Sequence, residues 1–103
     1  MYKLNYYVPI EAKERTKEAL FKIGVGKFNN YEYCCFETLG KGQFKPINDA
    51  KPYIGTKNNI EYVDEYKIEM ICSNKLIKEA IEVLKRAHPY EEVAYEVIRL
   101  ENF

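Results

Sequence analysis

The chain has 103 residues, with 16 Lys and Arg against 16 Asp and Glu, so its formal net charge is zero; it holds one His, three Cys and no Trp. The length fits one domain, and a composition 47% hydrophobic and 31% charged excludes a disordered chain. Neutrality leaves no electrostatic footprint for nucleic acid, no apolar run approaches the ~20 residues of a membrane span, and one His with three Cys could at most fill one closed His/Cys zinc site.

Residues 2–8 alternate, with Tyr2, Leu4, Tyr6 and Val8 sharing one face, the pattern of a half-buried strand. They follow the first Met with no signal-peptide core, which points to a cytoplasmic protein. Pro9 stops this strand and suits the first turn of a helix. From Ile10 to Ile23, the positions Ala12, Thr16, Ala19, Leu20 and Ile23 fall at helical spacing, with Thr16 the one polar member. Glu11 with Arg15, and Glu18 with Lys22, are spaced as favourable helix ion pairs. Gly24 stands where a helix C-cap belongs.

Residues 31–39 are rich in aromatic and β-favouring side chains and predict a second strand. Residues 40–59 hold Gly40, Gly42, Pro46, Pro52 and Gly55, and predict a long loop. Four lysines there, Lys41, Lys45, Lys51 and Lys57, face one acid, Asp49. They could steer an anion, or simply belong to a solvated or subunit-contacting loop. The segment Gly40-Lys41-Gly42 lacks the full P-loop pattern. Loops this long are functional or interface-forming more often than short ones.

Residues 60–72 alternate again, placing Ile60, Tyr62, Tyr66, Ile68, Met70 and Cys72 on one face and mostly charged residues on the other. Ser73 or Asn74 suits a helix N-cap. Leu76, Ile77, Ala80, Ile81, Leu84 and Ala87 form a wide apolar stripe. His88-Pro89 ends this helix, and residues 92–101 read as a last strand. The cysteines read as reduced thiols and small buried hydrophobes; a reactive thiol or soft metal ligand would need a basic or histidine-rich setting.

The resulting order, β-α-β-β-α-β, is the ferredoxin-like α+β arrangement, a four-stranded antiparallel sheet with two helices on one face. It makes residues 1–103 a single domain. The open face is expected to include several of Tyr7, Tyr33, Tyr95 and Val97, and to invite burial against another copy.

Two stretches are more specific than the fold. One is Gly42-Gln43-Phe44-Lys45-Pro46 with Lys51-Pro52-Tyr53-Ile54-Gly55, Glu61-Tyr62-Val63-Asp64-Glu65 and Ile68-Glu69. The other is His88-Pro89-Tyr90-Glu91-Glu92-Val93-Ala94-Tyr95. Together they resemble the middle domain of the NGG-interacting-factor-like family, whose members are also known as GTP cyclohydrolase type 2 homologues. The resemblance spans nearly the whole chain and implies a stand-alone copy of that inserted CutA/PII-like domain. The His- and carboxylate-rich metal body of the larger proteins has no counterpart here, so cyclohydrolase chemistry is not carried over. Asn58-Asn59 stands where the family tends to place a glycine, and Asn tolerates the left-handed conformation.

The resemblance implies a non-enzymatic, oligomeric binding or regulatory module, with a homotrimer favoured and a small molecule or a protein as partner. Its candidate ligand or interface residues are Phe44, Pro46, Tyr53, Gly55, His88, Pro89, Tyr90 and Glu91. Phe44, Pro46, Tyr53, His88 and Tyr90 are expected to meet in a cleft between subunits. The alternative is a CutA-like divalent metal protein, for copper or zinc, with His88 and Glu91 as ligands. His88 could equally cap the preceding helix or touch a small molecule. No catalytic grouping such as a Ser/His/Asp or Cys/His set is visible.

Charge is unevenly spread. Residues 1–51 carry nine bases and six acids, and residues 52–103 seven bases and ten acids. Opposite halves suit self-association.

Overall fold

A computed structural model describes residues 1–103. The elements are β1 (Tyr2–Pro9), a 3-10 turn (Ile10–Ala12), α1 (Lys13–Lys22), β2 (Phe36–Phe44), β3 (Glu61–Cys72), α2 (Ile77–Ala87) and β4 (Tyr95–Arg99). The sheet order is β2-β3-β1-β4 and every pairing is antiparallel. The ferredoxin-like expectation therefore holds. No helix is long and apolar enough to cross a membrane.

Alternation in β1 sends Leu4, Tyr6 and Val8 inward, where all three are fully buried. They meet Ile68, Met70 and Cys72 of β3, Leu20 of α1, and Ala80, Val83 and Leu84 of α2 in one cluster. Both helices thus cover the same sheet face. Thr16, the polar member of the α1 stripe, is buried and satisfied: it donates to the Lys13 carbonyl at 2.9 Å and receives the Tyr6 hydroxyl at 2.9 Å. Gly24, at φ 101°, closes α1 in a Schellman motif, with Gly24 N–H on the Phe21 carbonyl and Val25 N–H on the Leu20 carbonyl.

Several boundaries differ from those the sequence predicts. Pro9 is the last residue of β1, and the first helical turn is 3-10 before α1 begins. The expected Glu11–Arg15 and Glu18–Lys22 pairs do not form. The ion pairs that do form on α1 are those of Lys13 and Lys17, which both reach Glu37 on β2, at 2.8 and 3.0 Å; exposed pairs along one helix face gain little from closing. Ser73 and Asn74 do not cap α2; its N-cap is Leu76, without a side-chain bond. Asn74 instead accepts the N-terminal ammonium. Cys72 is buried as expected, but Cys34 and Cys35 are only half-buried, and all three are free thiols.

The second strand is displaced from residues 31–39 to Phe36–Phe44. Residues 31–35 are held in irregular backbone. Phe28 and Tyr31 exchange backbone bonds of 2.8 and 2.9 Å, Cys34 N–H reaches the Gly26 carbonyl, and Tyr33 adopts φ 61° while stacking on Phe21 at 4.9 Å. The loop accordingly starts at Lys45, not residue 40, because Gly40 and Gly42 lie within the edge strand. The last strand is also shorter than predicted. Its register sets Tyr95 beside Tyr6 and Val97 beside Leu4, on the helix side of the sheet, so of the residues expected on the open strand face only Tyr7 lies there.

β3 is longer than its neighbour. β1 pairs only with Glu65–Cys72, so residues 61–64 pair with β2 alone. The β2–β3 ribbon therefore runs past the helices, and Tyr62 is 58% exposed although it shares a face with buried Met70.

Candidate functional site

The projecting ribbon leaves its open face free, and residues 45–60 fold back towards it. The loop is pinned at its base by Asn58 N–H on the Pro46 carbonyl at 2.7 Å. Asn58 adopts φ 68°, Asn48 φ 54° and Gly55 φ 97°, so the Asn at position 58 does take the left-handed conformation. Lys51 N–H donates to Glu91 Oε2 at 2.8 Å, tying the loop to the α2–β4 corner. Loop, ribbon and corner line a half-open cavity of about 500 Å3, half of whose lining residues are hydrophobic. That size suits a small molecule.

Tyr90 organises the aromatic part. Its ring lies 6.2 Å from Phe44, 6.1 Å from Tyr53 and 4.8 Å from the His88 imidazole, which it meets edge-on. Its hydroxyl donates to Glu65 Oε2 at 3.0 Å. Burial, together with that carboxylate, pushes the Tyr90 hydroxyl well above the usual tyrosine range, so it stays a donor. Glycine at position 42 leaves room for this pair, because a Cβ there would push the Glu65 carboxylate aside.

His88 is buried behind Tyr90. Its Nε2 lies 2.7 Å from the Tyr7 carbonyl and its Nδ1 accepts Tyr90 N–H at 3.1 Å. A carbonyl only accepts and an amide N–H only donates, so the proton sits on Nε2 and the ring is neutral. Burial lowers its pKa, consistent with that state. His88 is the C-cap residue of α2, with its backbone N–H on the Leu84 carbonyl at 2.9 Å, while its ring bonds Tyr7 and Tyr90 and leaves the Ala87 carbonyl to Arg15 Nε at 3.0 Å. Both imidazole nitrogens are bonded, and Glu91 accepts from Lys51, so a divalent metal on His88 and Glu91 would require the ring to give up one of these bonds. No group of three or more His, Cys, Asp or Glu side chains converges here.

Of the residues singled out from sequence, Phe44, Pro46, Tyr53, Tyr90 and Glu91 line the cavity, and they do so within one chain. His88 supports the wall from behind. Gly55 packs instead on Glu61, and Pro89 fixes the corner by holding His88 extended at ψ 140°. The sequence did not single out Tyr7, Gly42 or Glu65 as site residues. Glu65 reads as one more charge in an alternating strand, and its meeting with Gly42 and Tyr90 depends on the β2–β3 register.

No protein-family model matches the chain. Among curated proteins, a GTP cyclohydrolase 1 type 2 homolog of Staphylococcus epidermidis is 47% identical over 104 residues, covering 96% of this chain. The Bacillus subtilis protein of the same name is 39% identical over 100 residues. The chain spans only 27% of the length of each. Among solved structures, a Bacillus cereus protein related to NIF3 superposes with a TM-score of 0.82 at 36% identity, covering 98% of this chain and 26% of its own. CutA1 from Pyrococcus horikoshii superposes with a TM-score of 0.73 at 18% identity, covering 100% of this chain and 86% of its own. The PII-like protein CutA of a Nostoc species gives 0.72 at 19%. The last two establish the fold alone. The chain is a homologue of one segment, about a quarter, of the NIF3-related GTP cyclohydrolase 1 type 2 homologs, and that segment has the CutA/PII-like fold.

Proposed function

We propose that the protein is a non-enzymatic, oligomer-forming binding module of the cytoplasm whose ligand sits in the cavity under residues 45–60. One observation carries this reading: a cavity of about 500 Å3 with apolar walls and a few convergent polar groups, Glu65, Tyr90 and Glu91 among them. Likeness to CutA and PII-like structures, together with the oppositely charged halves of the chain, supports self-association. Trimer is the favoured order.

Three measurements test it. Light scattering should give a mass that is a multiple of the 12.2 kDa chain; a strict monomer at high concentration contradicts the oligomer. A fragment set followed by ligand-observed NMR should yield binders that Phe44→Ala abolishes; binders indifferent to that change contradict the site. GTP incubated with the purified chain should persist, and turnover at an enzyme-like rate would overturn the non-enzymatic assignment.

A further inference from the structure

The cavity wall carries three carboxylates, Glu65, Glu91 and Glu92, against one ammonium, Lys45. None of the four forms a salt bridge within the chain. Glu65 is the informative one. It is half-buried on β3, and its only bonded partner is the neutral Tyr90 hydroxyl on Oε2. A carboxylate partly withdrawn from water gains most from a cation placed beside it. The rings of Phe44, Tyr53 and Tyr90 stand in the same wall, and aromatic faces attract cations within about 6 Å of the ring centroid.

The molecule shows the same pairing elsewhere, filled from its own sequence. Lys13 Nζ lies 4.1 Å over the Tyr66 ring and 2.8 Å from the Glu37 carboxylate. At the cavity, ring and carboxylate recur, but the chain brings no ammonium to Glu65.

We infer that the cavity selects an organic cation, an ammonium carried on a flat apolar body, with Glu65 as counter-ion and Phe44, Tyr53 and Tyr90 as its walls. This rests on the cavity being a ligand site. The experiment therefore separates the two claims. Tryptamine, its neutral analogue tryptophol and its anionic counterpart indoleacetate are titrated into the full chain by NMR. Tryptamine should bind roughly tenfold more tightly than tryptophol, with shifts at Phe44, Tyr53 and Tyr90, and indoleacetate more weakly than either. Glu65→Gln keeps an acceptor for the Tyr90 hydroxyl and should reduce tryptamine to the affinity of tryptophol. Phe44→Leu, on the edge strand, should weaken tryptamine without unfolding the chain. If tryptophol or indoleacetate binds at the cavity as well as tryptamine does, or if Glu65→Gln leaves the preference intact, the cation assignment is overturned while the cavity stands. If none of the three binds, both claims fall.

Discussion

The two halves of β3 share one alternating sequence and have opposite fates. At the C-terminal half, Ile68, Met70 and Cys72 are sealed under the helices. At the N-terminal half, Tyr62 is exposed on the same face, because β1 and the helices end before it. Alternation thus fixes which side chains share a face, while burial depends on what lies across from that face. The covered half holds the fold together. The projecting half frees its other face, with Glu65 and its neighbour Gly42, to form a cavity wall.

This division predicts a graded series. Leu4→Ala should have the largest effect, costing about 2–5 kcal/mol in urea denaturation, because Leu4 is fully buried in the core cluster; what fold remains should keep its cavity. Thr16→Val should come next, at about 1–3 kcal/mol, since it orphans the buried Tyr6 hydroxyl. Adding Tyr6→Phe should restore part of that loss, and a double mutant with the summed cost of both singles would show that the pair is not coupled.

Gly42→Ala should cost only about 1–2 kcal/mol but should shift the Glu65 and Tyr90 signals strongly, the reverse of the Leu4 pattern. The smallest effect is a pH slope. Burial holds the folded-state pKa of His88 below its ordinary value of 6.5, so the unfolded chain takes up the proton first. The stability it contributes is complete above about pH 6.5 and is lost as pH falls through the lower folded value. Thermal melts between neutral and mildly acidic pH should show that decline in the parent and a flatter profile in His88→Gln.

Much of the scaffold was legible because period and punctuation agreed. Leu4, Tyr6 and Val8 alternate, Leu20 and Leu84 lie on helical stripes, and Gly24 and His88-Pro89 mark real helix ends. The second strand was misplaced because residues 31–35 have strand-like composition but are locked in a turn by Gly26 and by Tyr33 stacked on Phe21, both tertiary constraints. That displacement hid half of the site. Phe44, Tyr53 and Tyr90 could be picked out as aromatics next to or near proline, whereas Gly42 and Glu65 meet only through the register of an edge strand whose glycine-bearing second half has the composition of a loop.

Native-state hydrogen exchange tests the division between scaffold and site most directly. The amides of Leu4, Tyr6, Ile68 and Met70 should exchange only through global unfolding. Those of Lys51 and Asn58, bonded to Glu91 and to the Pro46 carbonyl, should exchange through a local opening that leaves the core protected. Equal protection in both regions, or opening of the core whenever the loop opens, would contradict the account.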